Sequence, residues 1–227
     1  MPTILLIRHG QASFGGADYD VLSPTGREQS AALARELTGR GLTVQRIVSG
    51  SLRRQRDTAE PVAAALRRPV TVDPRWNEYE MDEILAKHST TSARASRPAG
   101  GEQSPISSAE FQDLLELALS SWITARATSP AAEPWPAFSD RVDAALRSVA
   151  EGLPSGSTAL VFTSGGVVAA LCATVLQLPD QALITLNRVS VNAGITKLVD
   201  GRRGVTLVSF NEHTHLERSR PSLVTYR

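Results

Sequence analysis

A chain of 227 residues, 41% hydrophobic and 21% charged, is long enough to bury one sizeable core, which excludes a disordered or fibrous protein. With 24 Lys and Arg against 23 Asp and Glu the formal charge is +1, so no overall field draws the chain to nucleic acid or an anionic membrane, and any anion site must be built locally. The one cysteine, Cys172, excludes an intrachain disulfide and a cysteine-based metal site, and with no membrane-length apolar run and no basic leader the chain is expected to be cytoplasmic.

The first element is the apolar run at residues 4–7, which reads as a strand buried on both faces and ends in Arg8-His9-Gly10. Open α/β sheets bind their ligands at the carboxyl ends of central strands. There His9 is a candidate nucleophile and Arg8 a candidate anion clamp, while Gly10 would let the backbone turn sharply beside a ligand. The Gly- and Asp-rich segment 11–20 is placed to wall the site. Ser23 and Pro24 then open a helix as N-cap and first helical residue, and Gly39 and Gly41 close it. A second strand at 44–49 turns through Gly50-Ser51 into a helix carrying Arg53, Arg54 and Arg56. That helix N-terminus favours an anion, and only one of those arginines can face the strand end. A third strand at 70–72 leads to Asn77-Glu78, where a carboxylate again follows a strand end.

Residues 87–108 are rich in Ser, Thr, Gly and Pro, lack periodicity and read as a mobile insertion. Helices follow at 109–127 and 137–151, and the aromatics of 135–138 are expected to pack rather than stack on bases, since no basic stripe accompanies them. A strand at 159–162 ends in Thr163-Ser164-Gly165-Gly166 before a helix at 167–178, a second geometry suited to cradling phosphate. Cys172 in that helix reads as a buried small residue. Two closing strands at 195–199 and 205–210 form a hairpin, and the tail carries His213 and His215 without a third residue spaced to complete a metal site.

Taken together, Arg8-His9-Gly10, the run Ser51-Leu52-Arg53-Arg54-Gln55-Arg56-Asp57-Thr58-Ala59, Asn77-Glu78, the segment 192–196 and the tail 211–216 resemble the histidine phosphatase superfamily, also called the phosphoglycerate mutase-like family. The resemblance implies a three-layer α/β/α sandwich on a mostly parallel sheet, one domain over 1–227 with a helical and loop cap inserted around 84–130 over the site. It implies that His9 is the nucleophile, that Arg8, Arg54, Ser164 and Gly165 bind phosphate, and that Glu78 is the general acid, with Glu80, Asp82 and Glu83 as rivals. One departure stands out: Ser164 occupies the position where the family carries a second histidine. The function implied is a slow phosphomonoester hydrolase working through phosphohistidine on a small phosphorylated substrate, with no metal, no cofactor, no nucleic acid and no membrane. The alternatives are a phosphoglycerate-type phosphomutase and a non-catalytic phospho-ligand sensor or scaffold.

Overall fold

In the computed structural model, which describes residues 1–13, 20–89 and 108–226, the first apolar run forms β1 (Thr3–Arg8), with residues 4–7 buried. The later strands are β2 (Val44–Ser49), β3 (Val70–Val72), β4 (Thr158–Thr163), β5 (Ile195–Gly201) and β6 (Gly204–Glu212). Among the described residues they make one six-stranded sheet in the order β3-β2-β4-β1-β5-β6. β3, β2, β4 and β1 run parallel, and β5 and β6 close the sheet as an antiparallel hairpin. β1 lies beside β4 with Arg8 opposite Thr163, so His9 and Ser164 are the first residues past two neighbouring strand ends.

The described helices are α1 (Pro24–Gly39), α2 (Arg53–Leu66), α3 (Met81–His88), α4 (Ser108–Ala125), α5 (Trp135–Ala150), α6 (Gly165–Val175), α7 (Ala182–Arg188) and α8 (Thr214–Ser219). The Ser23 side chain accepts from the Gly26 N–H at 3.0 Å and so caps α1 as its sequence requires. On one sheet face Leu5, Ile7, Ile47, Leu160 and Phe162 pack with Leu33 and Leu37 of α1 and Val62 of α2. The residues that alternate with these, Ile4, Leu6, Ala159 and Val161, are equally buried on the opposite face, the layer to which the apolar α6 belongs. Cys172 lies inside α6, where burial pushes its thiol up to about 12, leaving it inert.

The chain divides into two compact units, 1–78 with 141–227 and 79–140. In the second unit Tyr79, Trp122, Trp135 and Phe138 form a tilted and edge-on aromatic cluster with centroids 5.4–5.8 Å apart, which is packing, as their sequence context suggests. Buried His88 bonds Ser121 Oγ at 3.1 Å and Ser129 Oγ at 2.8 Å. The stretch read as an insertion lies mostly outside the described residues, although its first two positions, Lys87 and His88, complete α3. α3, α7 and α8 are absent from the sequence reading because none exceeds eight residues, too short for an apolar period to show. Among the described residues no helix is long and apolar enough to cross a membrane.

The structure shows a close approach at Gly10 that the sequence did not announce. A Cβ there would lie 2.6 Å from the Gly26 carbonyl oxygen, and one on Gly26 would lie 2.1 Å from the Gln11 carbonyl, so the loop after β1 rests directly on the first turn of α1. We predict that Gly26→Ala lowers the melting temperature by about 2–12 °C, since overpacking costs about 1–3 kcal/mol and each kcal/mol moves a chain of this size by about 2–4 °C. Gly39→Ala, with nothing within 4 Å of the added methyl, should cause no loss. Equal losses in thermal unfolding of the two variants would contradict the close approach.

Candidate active site

The site is assembled at the carboxyl ends of β1 and β4, where their last residues hand the chain to loops. The His9 N–H donates to the Thr163 carbonyl at 2.9 Å, and the His9 carbonyl accepts from the Ala193 N–H at 3.2 Å and from Asn192 Nδ2 at 3.3 Å. Both backbone polar groups of the histidine are therefore tied to neighbouring strand ends. Ala193 takes a left-handed conformation, φ +57°, to present that N–H, a posture costing an alanine about 1 kcal/mol or more. The next residue, Gly10, donates its N–H to Thr58 Oγ1 at 2.9 Å, which anchors the loop on α2.

The imidazole of His9 is 4% exposed, and its two nitrogens face different partners. Nδ1 lies 2.7 Å from the Gly10 carbonyl oxygen, an atom that only accepts, so Nδ1 carries the proton. Nε2 accepts from Arg54 Nε–H at 3.2 Å. The two contacts define one neutral tautomer with its lone pair on Nε2. Burial first, and then the positive charges of Arg54 and Arg8, hold the imidazole well below its ordinary value of 6.5, against the opposing pull of the Gly10 carbonyl. The result is an uncharged imidazole beside arginines.

α2 begins where β2 ends and lays three side chains over this point. Arg54 faces inward with 9% of its side chain exposed, whereas Arg53 is 54% exposed and Arg56 is solvated, which is the division that helical geometry required. Gln55 and Thr58 are the other two inward residues. The anion at the α2 N-terminus is the protein's own: Asp20 Oδ2 accepts the Arg53 N–H at 2.7 Å, Oδ1 accepts the Arg54 N–H at 3.4 Å, and Oδ1 pairs with Arg54 Nη1 at 2.7 Å. Asp20 is the described end of the segment expected to wall the site, and no pattern in the sequence distinguishes it from the other polar residues there. The rest of that wall, 14–19, lies outside the described residues.

The second turn, at the end of β4, is organised in the same way. Glu78 Oε2 accepts the Gly166 N–H at 3.1 Å, so a carboxylate sits on the N-terminus of α6. A Cβ on Gly165 would lie 2.4 Å from Asn187 Oδ1 and 3.3 Å from Arg8 Nε, which explains the glycine and places the Arg8 side chain against this turn. Arg8 Nη1 donates to the Ser190 carbonyl and, at 2.9 Å, to the Tyr226 carbonyl. Ser164 is fully buried at the N-cap position but does not cap α6; its Oγ accepts from Gln55 Nε2 at 2.8 Å. The structure thus joins His9 to Arg54, Glu78 and Arg8 to the Ser164-Gly165-Gly166 turn, and Ser164 to Gln55. Of the rival carboxylates, Glu83 accepts the Ala132 N–H at 2.8 Å, and Glu80 and Asp82 are exposed. His213 Nδ1 faces the Asn211 carbonyl at 2.6 Å, and among the described residues no group of three or more His, Cys, Asp or Glu is set to hold a metal ion.

A neutral buried imidazole beside arginines at the strand ends of a mixed α/β sheet is an arrangement chemically able to receive an anion and to present a nitrogen lone pair to it. The chain belongs to the histidine phosphatase superfamily (branch 1), whose family model matches residues 4–213. Among curated relatives, a probable phosphoglycerate mutase GpmB of Citrobacter koseri is 29% identical over 188 residues, covering 80% of this chain and 78% of its own, and its counterpart in Salmonella choleraesuis is 28% identical over the same share. The fold matches a mycobacterial glucosyl-3-phosphoglycerate phosphatase with a TM-score of 0.64 at 23% identity, over 92% of this chain and 98% of that one. It also matches phosphoserine phosphatase of Entamoeba histolytica with a TM-score of 0.64 at 20% identity, over 95% of this chain and 100% of that one.

The inward placement of Arg54 yields a direct prediction. Arg54→Ala should weaken binding of inorganic phosphate about 30-fold, the loss of a charge-assisted contact worth roughly 2 kcal/mol, while Arg53→Ala and Arg56→Ala change it less than threefold. Calorimetric titration of the three variants checks this, and equal losses at all three would contradict the single inward arginine.

Proposed function

We propose that the protein is a phosphomonoester hydrolase in which Nε2 of His9 takes the phosphoryl group of a small phosphorylated substrate. The observation that carries this reading is the tautomer: Nδ1 is committed to the Gly10 carbonyl, and Nε2 is left as the lone pair beside Arg54. In the first step Nε2 attacks phosphorus in line, the N–P bond forms and the P–O bond to the leaving group breaks. Arg54 gives up its hydrogen bond to Nε2 in favour of a phosphoryl oxygen, and with Arg8 it balances charge on the equatorial oxygens. Glu78, held at the α6 N-terminus through Oε2, supplies a proton from its carboxyl group to the leaving oxygen. In the second step water attacks phosphorus, Glu78 recovers a proton from it, and inorganic phosphate leaves as the N–P bond breaks. Ser164 and Gly165 line the phosphoryl group on the β4 side. Ser164 offers a neutral hydroxyl where the family carries a histidine, and deleting a preorganised donor of that kind typically costs about 3 kcal/mol, so turnover is slow.

A phosphomutase is the second reading, favoured by the curated relatives that are named probable phosphoglycerate mutases. The two differ in what receives the phosphoryl group, water in one and a second hydroxyl of the same sugar acid in the other. Chemical quench with a ³²P-labelled phosphomonoester, without acid, followed by mass spectrometry should find phosphate on His9 and release label as inorganic phosphate. His9→Ala should abolish both. Label returned to a sugar acid would support the mutase, and phosphate binding with wild-type turnover no faster than His9→Ala would support a sensor.

A further inference from the structure

We infer that Gln55 is a positioning residue for this site: its amide donates to a lone pair of Ser164 Oγ so that the serine proton is directed to the phosphoryl group. This inference rests on the reading of the site as a phosphoryl-transfer centre. Gln55 and Ser164 are both fully buried, and they come from different strand ends, Gln55 from the first turn of α2 and Ser164 from the turn after β4.

The orientation of the Gln55 amide follows from what it touches. One of its terminal atoms lies 3.1 Å from the Trp76 carbonyl oxygen, which can only accept, so that atom is Nε2. The same Nε2 lies 2.8 Å from Ser164 Oγ. Both amide protons are then committed, one to Trp76 and one to the serine, and the serine oxygen must act as acceptor toward Gln55. A second clamp fixes the first, because Thr163 Oγ1 donates to the same Trp76 carbonyl at 2.7 Å.

That leaves the hydroxyl proton of Ser164 unspent. Among the described residues Gln55 Nε2 is its only hydrogen-bond partner, and it is a donor. A buried hydroxyl with an unused proton is costly unless something else accepts it. Serine at an N-cap position would ordinarily turn its oxygen to the helix N–H groups, yet here Glu78 accepts the Gly166 N–H and Ser164 makes no capping bond. In the β1–β4 register Ser164 stands beside His9, one residue past the Arg8–Thr163 pair, so both side chains leave the sheet on the same side. An oxyanion carried on His9 Nε2 is the acceptor this arrangement lacks.

The pair also accounts for serine at this turn. An imidazole extending from residue 164 toward Gln55 would meet the amide that now lies 2.8 Å from Oγ. The buried, neutral Gln55–Ser164 contact therefore takes the volume that a ring turned that way would need.

A double-mutant cycle tests the inference, using Gln55→Met, Ser164→Ala and both together, in kcat and KM for an activated aryl phosphate and in the Kd for orthovanadate. Gln55→Met should lower kcat about five- to tenfold and weaken vanadate by a similar factor, with KM within about twofold, since it removes one neutral hydrogen bond felt by the transferring group. Once Ser164 is Ala, the Gln55 change should cost nothing further. The same loss in both backgrounds, or no loss in either, would overturn the inference, because a purely structural role does not depend on the serine hydroxyl. Urea midpoints identify a variant that fails to fold, in which case Gln55→Leu carries the cycle. If wild type shows no His9-dependent turnover the hydrolase reading fails by itself, and the vanadate cycle still decides the role of Gln55. Failure of wild type to bind vanadate would overturn both.

Discussion

The pair of contacts on the His9 ring is the constraint from which the rest of the site follows. A carbonyl one residue along takes the Nδ1 proton, and the Arg54 guanidinium sits on Nε2. Neither contact survives unless the backbone of His9 is fixed, and three strand-end groups fix it: the Thr163 carbonyl, the Ala193 N–H and the Asn192 amide. The left-handed turn at Ala193 is strain maintained by the surrounding sheet. Burial and arginine charge then act in the same direction on the ring and keep it neutral. A charged imidazole would have no lone pair for phosphorus, so electrostatics and chemistry ask for the same state.

A second regularity is that two helix N-termini at the strand ends, those of α2 and α6, are each met by an acidic side chain of the protein. Asp20 takes the α2 terminus and Glu78 the α6 terminus. Helix N-termini are ready anion sites, and leaving two of them empty beside a pair of arginines would hold a strong positive field without an occupant. Asp20 also fixes Arg54, whose guanidinium therefore reaches His9 already aimed. Through Glu78 the other terminus holds a carboxylate beside Ser164 and Gly165. The site is thus an arrangement of groups already partnered within the protein, and on the proposed reading a phosphoryl group would have to displace some of those partners.

Much of this was legible in the sequence because it depends on local pattern. All six strands fall where apolar runs bounded by glycine and polar residues placed them, Ser23 caps α1, and helical geometry allowed only one of the three arginines to face inward. What was not legible depends on side chains meeting across strand ends. Asp20 and Arg54 are 34 residues apart, and Gln55 and Ser164 are 109 apart; neither pairing leaves a period or a spacing to read. Ala193 gives no hint of its positive φ, since an alanine there looks like any small residue. Gly10 was singled out for a turn, but what excludes a side chain there is the backbone of Gly26 at the start of α1, sixteen residues on in sequence and in contact in space, which no local pattern shows.

The central claim is that His9 in the free protein is a neutral imidazole protonated on Nδ1, with Nε2 available for phosphorus. The chain has four histidines, so a ¹⁵N-histidine-labelled sample gives a countable set of ring signals, and His9→Gln assigns the one that matters. Long-range ¹H–¹⁵N correlation spectra recorded from pH 7.5 downward should show His9 as the Nδ1–H tautomer, remaining neutral well below pH 6.5, since burial and the adjacent arginines oppose protonation. A His9 ring protonated on Nε2, or already an imidazolium at pH 6.5, would contradict the account.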